Sequence, residues 1–461
     1  MRRTILAVAA ALVAVGAVNA APGVAATQDA AAALPPGNTV AQWNQIAEDT
    51  VVGSGAFQSE GLIYMAYVSA AVYDALVAIE GGFEAYGPPI AAPAGASADA
   101  AVVEAAYRTL WAYFPPESCN PASAPAVYAF CLGIRPSLDM SNAEALAAIP
   151  PGKAKTDGQA VGLQAANDII ALRSDDGHMT PIGVSTPFPT LLPGPGVWRL
   201  TPPFAAPQVP WVGDVRRFVL QSVDQFLPDP PPSLQSEKWV EAFDEIKAYG
   251  AATASARTDE QTGIARFWSA NVIRQYNRVG RDLGEGPDLL KTARILAMVN
   301  LVGADALMSA LYGKYHYLFW RPVTAIDPSD VTADGFGPVP GYDDGNAATV
   351  EQVGWLPLLT TPNHPEYPAA HGVITSAMAE VFSTFLGTNR IDLDIHGFDA
   401  AGLPGNLDEV RHFDMPKDLR HEIIDARLWA GLHYRFSSQA GVVLGRNVAR
   451  YDLRHAFQPV E

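Results

Sequence analysis

Residues 287–322 read PDLLKTARILAMVNLVGADALMSALYGKYHYLFWRP. Apolar side chains stand on most sides of 287–319 rather than at every second position, which predicts one long helix, central and buried. The same three- and four-residue spacing recurs outward on both sides. It predicts helices over 43–52, 62–79, 98–114, 158–172, 236–249 and 259–268, then 368–386, 419–430 and 436–454. Asn38 and Thr39 are suitable caps ahead of the first. No sustained strand alternation is found. The expected fold is all-α, a large bundle of roughly ten or more helices. Two stretches rich in Gly and Pro, 183–210 and 327–365, read as long loops, and long loops in compact proteins are often functional.

The chain has 461 residues, 30 Lys and Arg against 48 Asp and Glu, and a formal net charge of −18. That balance argues against a nucleic-acid partner, which calls for a basic surplus or stripe. With 49% hydrophobic and 17% charged residues, the chain can bury a large core. The 39 glycines and 38 prolines show no period, so collagen-like and solenoid readings fail. The N-terminus, MRRTILAVAAALVAVGAVNAAPGVAA, has the charged start, short apolar run and small-residue end of a signal peptide over 1–26. The expected location is therefore secreted or extracytoplasmic, and Arg2-Arg3 is compatible with the twin-arginine route. No later stretch is expected to insert in a membrane, since Asn300, Asp305 and Ser309 interrupt the most apolar one. Cys119 and Cys131 cannot build a disulfide scaffold, but twelve residues apart in an exported chain they are expected to pair. The expected organisation is a signal peptide, an N-terminal helical half over 27–210, and a C-terminal half over 211–461 that carries the chemistry.

Three segments carry that chemistry. In the first, Lys314 and Arg321 are seven apart, and seven helical steps return to within about 20° of the start. The expectation is two cations on one helix face, with Pro322 ending the helix, tolerated there because they share an anion. The bland alternative is two separate surface charges. The second runs from His364 through Glu366 and Pro368-Ala369-Ala370 to His371. Pro368 suits a first helical turn, so the N–H groups of Ala369, Ala370 and His371 are expected to point out of a helix start and receive an anion. There His371 can move a proton. It could instead be a packed core residue, or join His364 and Glu366 as a zinc set, although the prolines spoil the usual ligand spacing. In the third, Arg427 and His433 are six apart, and they converge only if the helix breaks at Gly431. The alternative is a structural arginine at an aromatic core edge. Together the three segments supply a lysine, two arginines, a helix start and two histidines, a set suited to a tetrahedral oxyanion.

These motifs resemble those of the vanadium-dependent haloperoxidases and the related type 2 phosphatidic acid phosphatases. The shared pattern stands here as Lys314, Arg321-Pro322, Pro368-Ala369-Ala370-His371, Ala426-Arg427 and Gly431-Leu432-His433, in the family's order and spacing. The segment Val40–Ala47 and the helix holding Tyr73-Asp74-Ala75 resemble bacterial secreted members. The resemblance implies an all-helical architecture of two four-helix-bundle-like halves, with vanadate as cofactor and phosphate as a competing anion. It makes His433 the axial vanadium ligand. Lys314, Arg321 and Arg427 would hold the oxygens, with backbone contacts at Ala369 and Ala370. His371 would be the acid–base residue, and Lys314 would polarise hydrogen peroxide. His364 falls where the family distinguishes halides, and mildly favours bromide or iodide over chloride. The partners implied are halide, hydrogen peroxide and an organic acceptor.

The chain departs from the pattern in four places. Ala369 replaces the family serine and Ala370 its glycine, Ala426 replaces a second serine, and Ser437 stands where an Asp often follows the axial histidine. No orienting partner for His433 is visible in the sequence. Two other activities fit the same residues: an acid phosphatase working through a phosphohistidine, and a non-redox anion-binding relative.

Overall fold

Helix α10, Leu289–Tyr317, is 29 residues long and begins where the Asp288 side chain accepts the Lys291 N–H, a standard N-cap. Nearly every residue from Leu290 to Leu311 is buried. Its polar interruptions are internal fasteners. Asn300 bonds Asn277 and Ser69, and the Asp305 carboxylate accepts the N–H groups of Phe218, Val219 and Leu220. This computed structural model describes residues 34–186, 188, 194–201, 206–327, 343–397 and 409–460. The expected signal peptide lies outside the described residues.

Around α10 stand α1 (Thr39–Gly53), α2 (Gln58–Glu80), α3 (Ala98–Tyr113), α4 (Pro125–Leu132), α5 (Ile134–Ala147) and α6 (Lys153–Leu172). After a long connection come α7 (Glu237–Tyr249), α8 (Asp259–Phe267) and α9 (Val272–Leu283). Beyond α10 follow α11 (Pro322–Ile326), α12 (Ala370–Leu386), α13 (Pro416–Trp429) and α14 (Arg435–His455). The fold is all-α apart from one antiparallel pair, β1 (Leu393–His396) with β2 (Val410–Phe413), in register Leu393 opposite Phe413. Leu34–Glu461 forms one compact unit. Within it α10 packs on α2, α9, α12 and α14, and α12 packs closely on α14. Gly445 permits that approach, because a Cβ there would run into the Val373 carbonyl.

Both α2 and α10 are long and apolar enough to cross a membrane, but their apolar windows are 89% and 94% buried inside the molecule, as core helices are. Lys314 and Arg321 do not share a helix. α10 ends at Tyr317, Leu318 turns left-handed at φ 50°, and the following strand-like segment bridges Phe319 to Val197. Pro322 opens α11 instead of closing α10, which suits its fixed φ and missing donor. Cys119 and Cys131 are disulfide-bonded, as expected.

Candidate active site

The end of α10, the turn into α11, the loop before α12 and the α13–α14 corner meet at one place. Lys314 comes from the last turn of α10, and Arg321 is the N-cap of α11. Arg427 comes from the last turn of α13. Beyond it Gly431 adopts φ +76° where the chain passes against the Gly250 backbone and Pro357, which redirects it so that His433 and Arg427 face one space. That is the break the sequence required. His371 is the second residue of α12, and His364 and Glu366 lie on the loop leading to it.

Lys314, Arg321, Arg427 and His433 are each at most 2% exposed, so their charges cannot be left to water. Lys314 donates to the Pro365 and Glu366 carbonyls at 3.0 and 2.9 Å. Arg321 donates to the carbonyls of His364 and Leu432 and to a ring nitrogen of each histidine: His364 Nδ1 at 2.9 Å and His433 Nε2 at 3.2 Å. A guanidinium only donates, so both nitrogens are acceptors. His433 therefore carries its proton on Nδ1, which donates to Glu366 Oε1 at 2.9 Å. The same oxygen accepts the Tyr434 N–H at 3.1 Å. Glu366 is thus the orienting partner that the sequence did not reveal. It lies 67 residues before His433, and Ser437, the position searched, sits beside it.

Electrostatics follow from burial and crowding. Burial, then Arg321, pulls the Lys314 amine well below its usual range. Arg321 falls to about 10 and Arg427 to about 9, in both cases mainly by burial. Burial and the neighbouring cations hold His433, His371 and His364 well below ordinary imidazole values, so all three are neutral. Burial pushes Glu366 up to about 7, against the pull of Lys314 and Arg321.

A cavity of about 70 Å³ opens on this centre, lined by His364, Ala370, His371, Arg427 and His433, by the start of α2 and by apolar side chains of α9, α10 and α12. Arg427 Nε and His371 Nε2 are buried there with no partner among the described residues. The Ala370 and His371 N–H groups begin α12, whose N-cap, Ala369, has no side-chain acceptor. Ala369 itself differs from expectation. Its N–H is taken by the Ser437 carbonyl at 3.2 Å, which pins Pro368 and Ala369 outside the helix, so Ala369 does not line the cavity. The zinc alternative also falls away, because Glu366 faces His433 while His364 Nδ1 faces Arg321. The helix start of α2, which sequence reasoning did not include, contributes Phe57, Gln58 and Ser59 to the wall.

Three buried cationic side chains and one carboxyl beside this cavity, two orphaned N–H or ring-nitrogen sites, and an uncapped helix start make an environment that an oxyanion would complete. The residues present therefore fit vanadate or phosphate. His433 Nε2 would face the central atom, and Lys314, Arg321, Arg427 and the α12 start would face the oxygens.

Residues 294–461 match the family model of the VCPO second helical-bundle domain. A curated relative, the vanadium chloroperoxidase of Curvularia inaequalis, is 26% identical over 297 residues, which cover 52% of this chain and 47% of the relative. The chain spans about half the length of that relative. Among solved structures, the first bacterial vanadium-dependent iodoperoxidase superposes with TM-score 0.67 at 21% identity, covering 92% of this chain and 97% of the other. The holo-type bacterial vanadium-dependent chloroperoxidase gives 0.64 at 14% identity, covering 92% and 97%. The fold is thus the helical vanadium haloperoxidase fold. Residues 294–461 are similar to the second helical-bundle domain of the vanadium chloroperoxidases, and the chain as a whole shares its fold with bacterial vanadium-dependent haloperoxidases.

Proposed function

We propose that this protein is a vanadate-dependent haloperoxidase that oxidises bromide or iodide with hydrogen peroxide, to hypohalous acid, in an extracytoplasmic compartment. One observation carries the reading: three buried cationic side chains, Lys314, Arg321 and Arg427, cluster with His433 beside a cavity that Arg427 and His433 line, and Glu366 is the carboxyl that faces His433 there. Bound vanadate would supply Lewis acidity for peroxide without changing its oxidation state. The chain's own residues do the rest. Glu366 fixes the His433 tautomer, so Nε2 stays unprotonated and would be available to the anion once Arg321 turns its N–H to the anion's oxygens. Neutral His371, with Nε2 unpartnered, would be the residue placed to accept a proton at the cavity. Lys314, held in place by the Pro365 and Glu366 carbonyls, would contribute positive charge toward a bound oxyanion. The apolar wall excludes water, and it favours large, weakly hydrated halides over chloride. The missing serine hydroxyl at Ala369 points the same way, because weaker peroxide activation penalises the halide hardest to oxidise.

The test is direct. Purified protein is dialysed against chelator in phosphate-free buffer, then given orthovanadate, peroxide, bromide and a phenol-red-type acceptor. Vanadate-dependent bromination, inhibited by phosphate, is the expected result. Phosphomonoester hydrolysis inhibited by vanadate would replace this reading with a phosphatase in which His433 is the nucleophile. Neither activity would leave a non-redox anion-binding relative.

A further inference from the structure

Helix α2 starts on the cavity, and nothing in the reading above uses it. It is 23 residues long, and its N-cap, Phe57, carries no side-chain acceptor, so the first N–H groups of the helix are uncapped. Ser59, in the first turn, is 2% exposed, and its hydroxyl has no hydrogen-bond partner among the described residues. A buried hydroxyl without a partner is costly unless something fills its place. Phe57, Gln58 and Ser59 all line the cavity that His364 and Arg427 also line. The nearby Glu60 carboxylate is occupied elsewhere, accepting the N–H groups of Gly183 and Phe57. Gln58 is anchored in turn, its Oε1 accepting the Val272 N–H at 2.9 Å. A fixed helix start, one free hydroxyl and an apolar surround suit a small monovalent anion that sheds water easily.

We propose that the start of α2 is the subsite for the halide co-substrate, a bromide or iodide ion, with the Ser59 hydroxyl as its side-chain donor. The proposal rests on the haloperoxidase reading for the ion's role in turnover, but not for its binding. The ion would approach the oxyanion cup from the α2 side and pass the His364 ring, whose centroid lies 6.0 Å from that of Phe57. Ser59 would then help to set the halide requirement that the sequence ascribed to His364 alone.

The test compares the full-length protein with Ser59→Ala, a change that a helix tolerates. Crystals of both are soaked in sodium bromide, and anomalous scattering at the bromine edge locates the ion. The expected result is a peak in contact with Ser59 Oγ in the natural protein that is lost or strongly weakened in the variant. In steady-state assays the variant's KM for bromide should rise about five-fold, the effect of one hydrogen bond, while its KM for peroxide and its vanadate affinity by equilibrium dialysis stay unchanged. A wild-type peak elsewhere, no peak at all, or equal occupancy in the variant overturns the subsite. If the wild-type protein binds bromide at Ser59 but does not oxidise it, the haloperoxidase reading fails and the anion subsite stands.

Discussion

Glu366 and His433 show how a single pair sets the chemistry of the site. Both are buried, and the hydrogen bond between them leaves His433 Nε2 unprotonated, an acceptor that Arg321 now contacts and that an anion would have to share or displace. Glu366→Gln can still touch Nδ1, but its amide no longer enforces the tautomer. Vanadate affinity measured by equilibrium dialysis should fall about 10–100-fold, as for other losses of a partner behind a metal-binding histidine. Arg427→Ala should remove anion binding altogether, because it deletes the guanidinium whose Nε is unsatisfied. Retained binding would mean that Arg427 is only structural, since it also donates to the Trp268 carbonyl. At this scale the sequence was informative where motifs carry fixed spacing: Lys314, Arg321, His371, Arg427 and His433 all reach the one centre. Glu366 was invisible as a partner because its contact is made by tertiary folding across 67 residues. The hydroxyl of Ser59 was invisible for the same reason.

The long apolar helices were the legible elements, and their predicted ends lie within a few residues of the observed ones. Helices α4, α5, α9 and α11 were missed. α9 does carry an apolar stripe at helical spacing, Val272, Ile273, Tyr276 and Val279, so it was legible in the sequence, although Gln275 and Asn277 are buried beside that stripe. α5 carries Pro136 in its first turn and buries only Ile134, Leu138 and Ala145. The α13–α14 corner depends on Gly431. Gly431→Ala puts a side chain at φ +76° and a Cβ about 2.8 Å from that of Pro357, so a loss of about 1–3 kcal/mol in urea unfolding is expected, together with weaker anion binding. The start of α2 supplies a pH prediction. Burial raises Glu60 to about 7 from an ordinary 4.5. Between those values the folded chain keeps a proton that the unfolded chain has lost, so this group's contribution to stability falls as pH rises through the window. Glu60→Gln should remove that slope. Natural protein minus variant should lose on the order of 2–3 kcal/mol between about pH 5 and about pH 8 by thermal or urea unfolding. An identical slope in both would show that Glu60 ionises normally in the folded chain.

Over the whole molecule the charge is −18, yet the interior holds a pocket of three cations. An acidic exterior disfavours anions at long range, so selection for an oxyanion must come from this local cup. The composition gave only the expectation that nucleic acid is not a partner, and could not show how distant segments meet around α10. An anion that binds only the folded chain must raise its stability, by an increment that grows with the logarithm of ligand concentration. The decisive measurement is calorimetric titration of the phosphate-free protein with orthovanadate. One vanadate per chain should bind, phosphate should compete for the same site, and Arg427→Ala and His433→Ala should each abolish or sharply weaken it. No binding, or binding that survives both substitutions, would contradict the claim that these residues form a single oxyanion site.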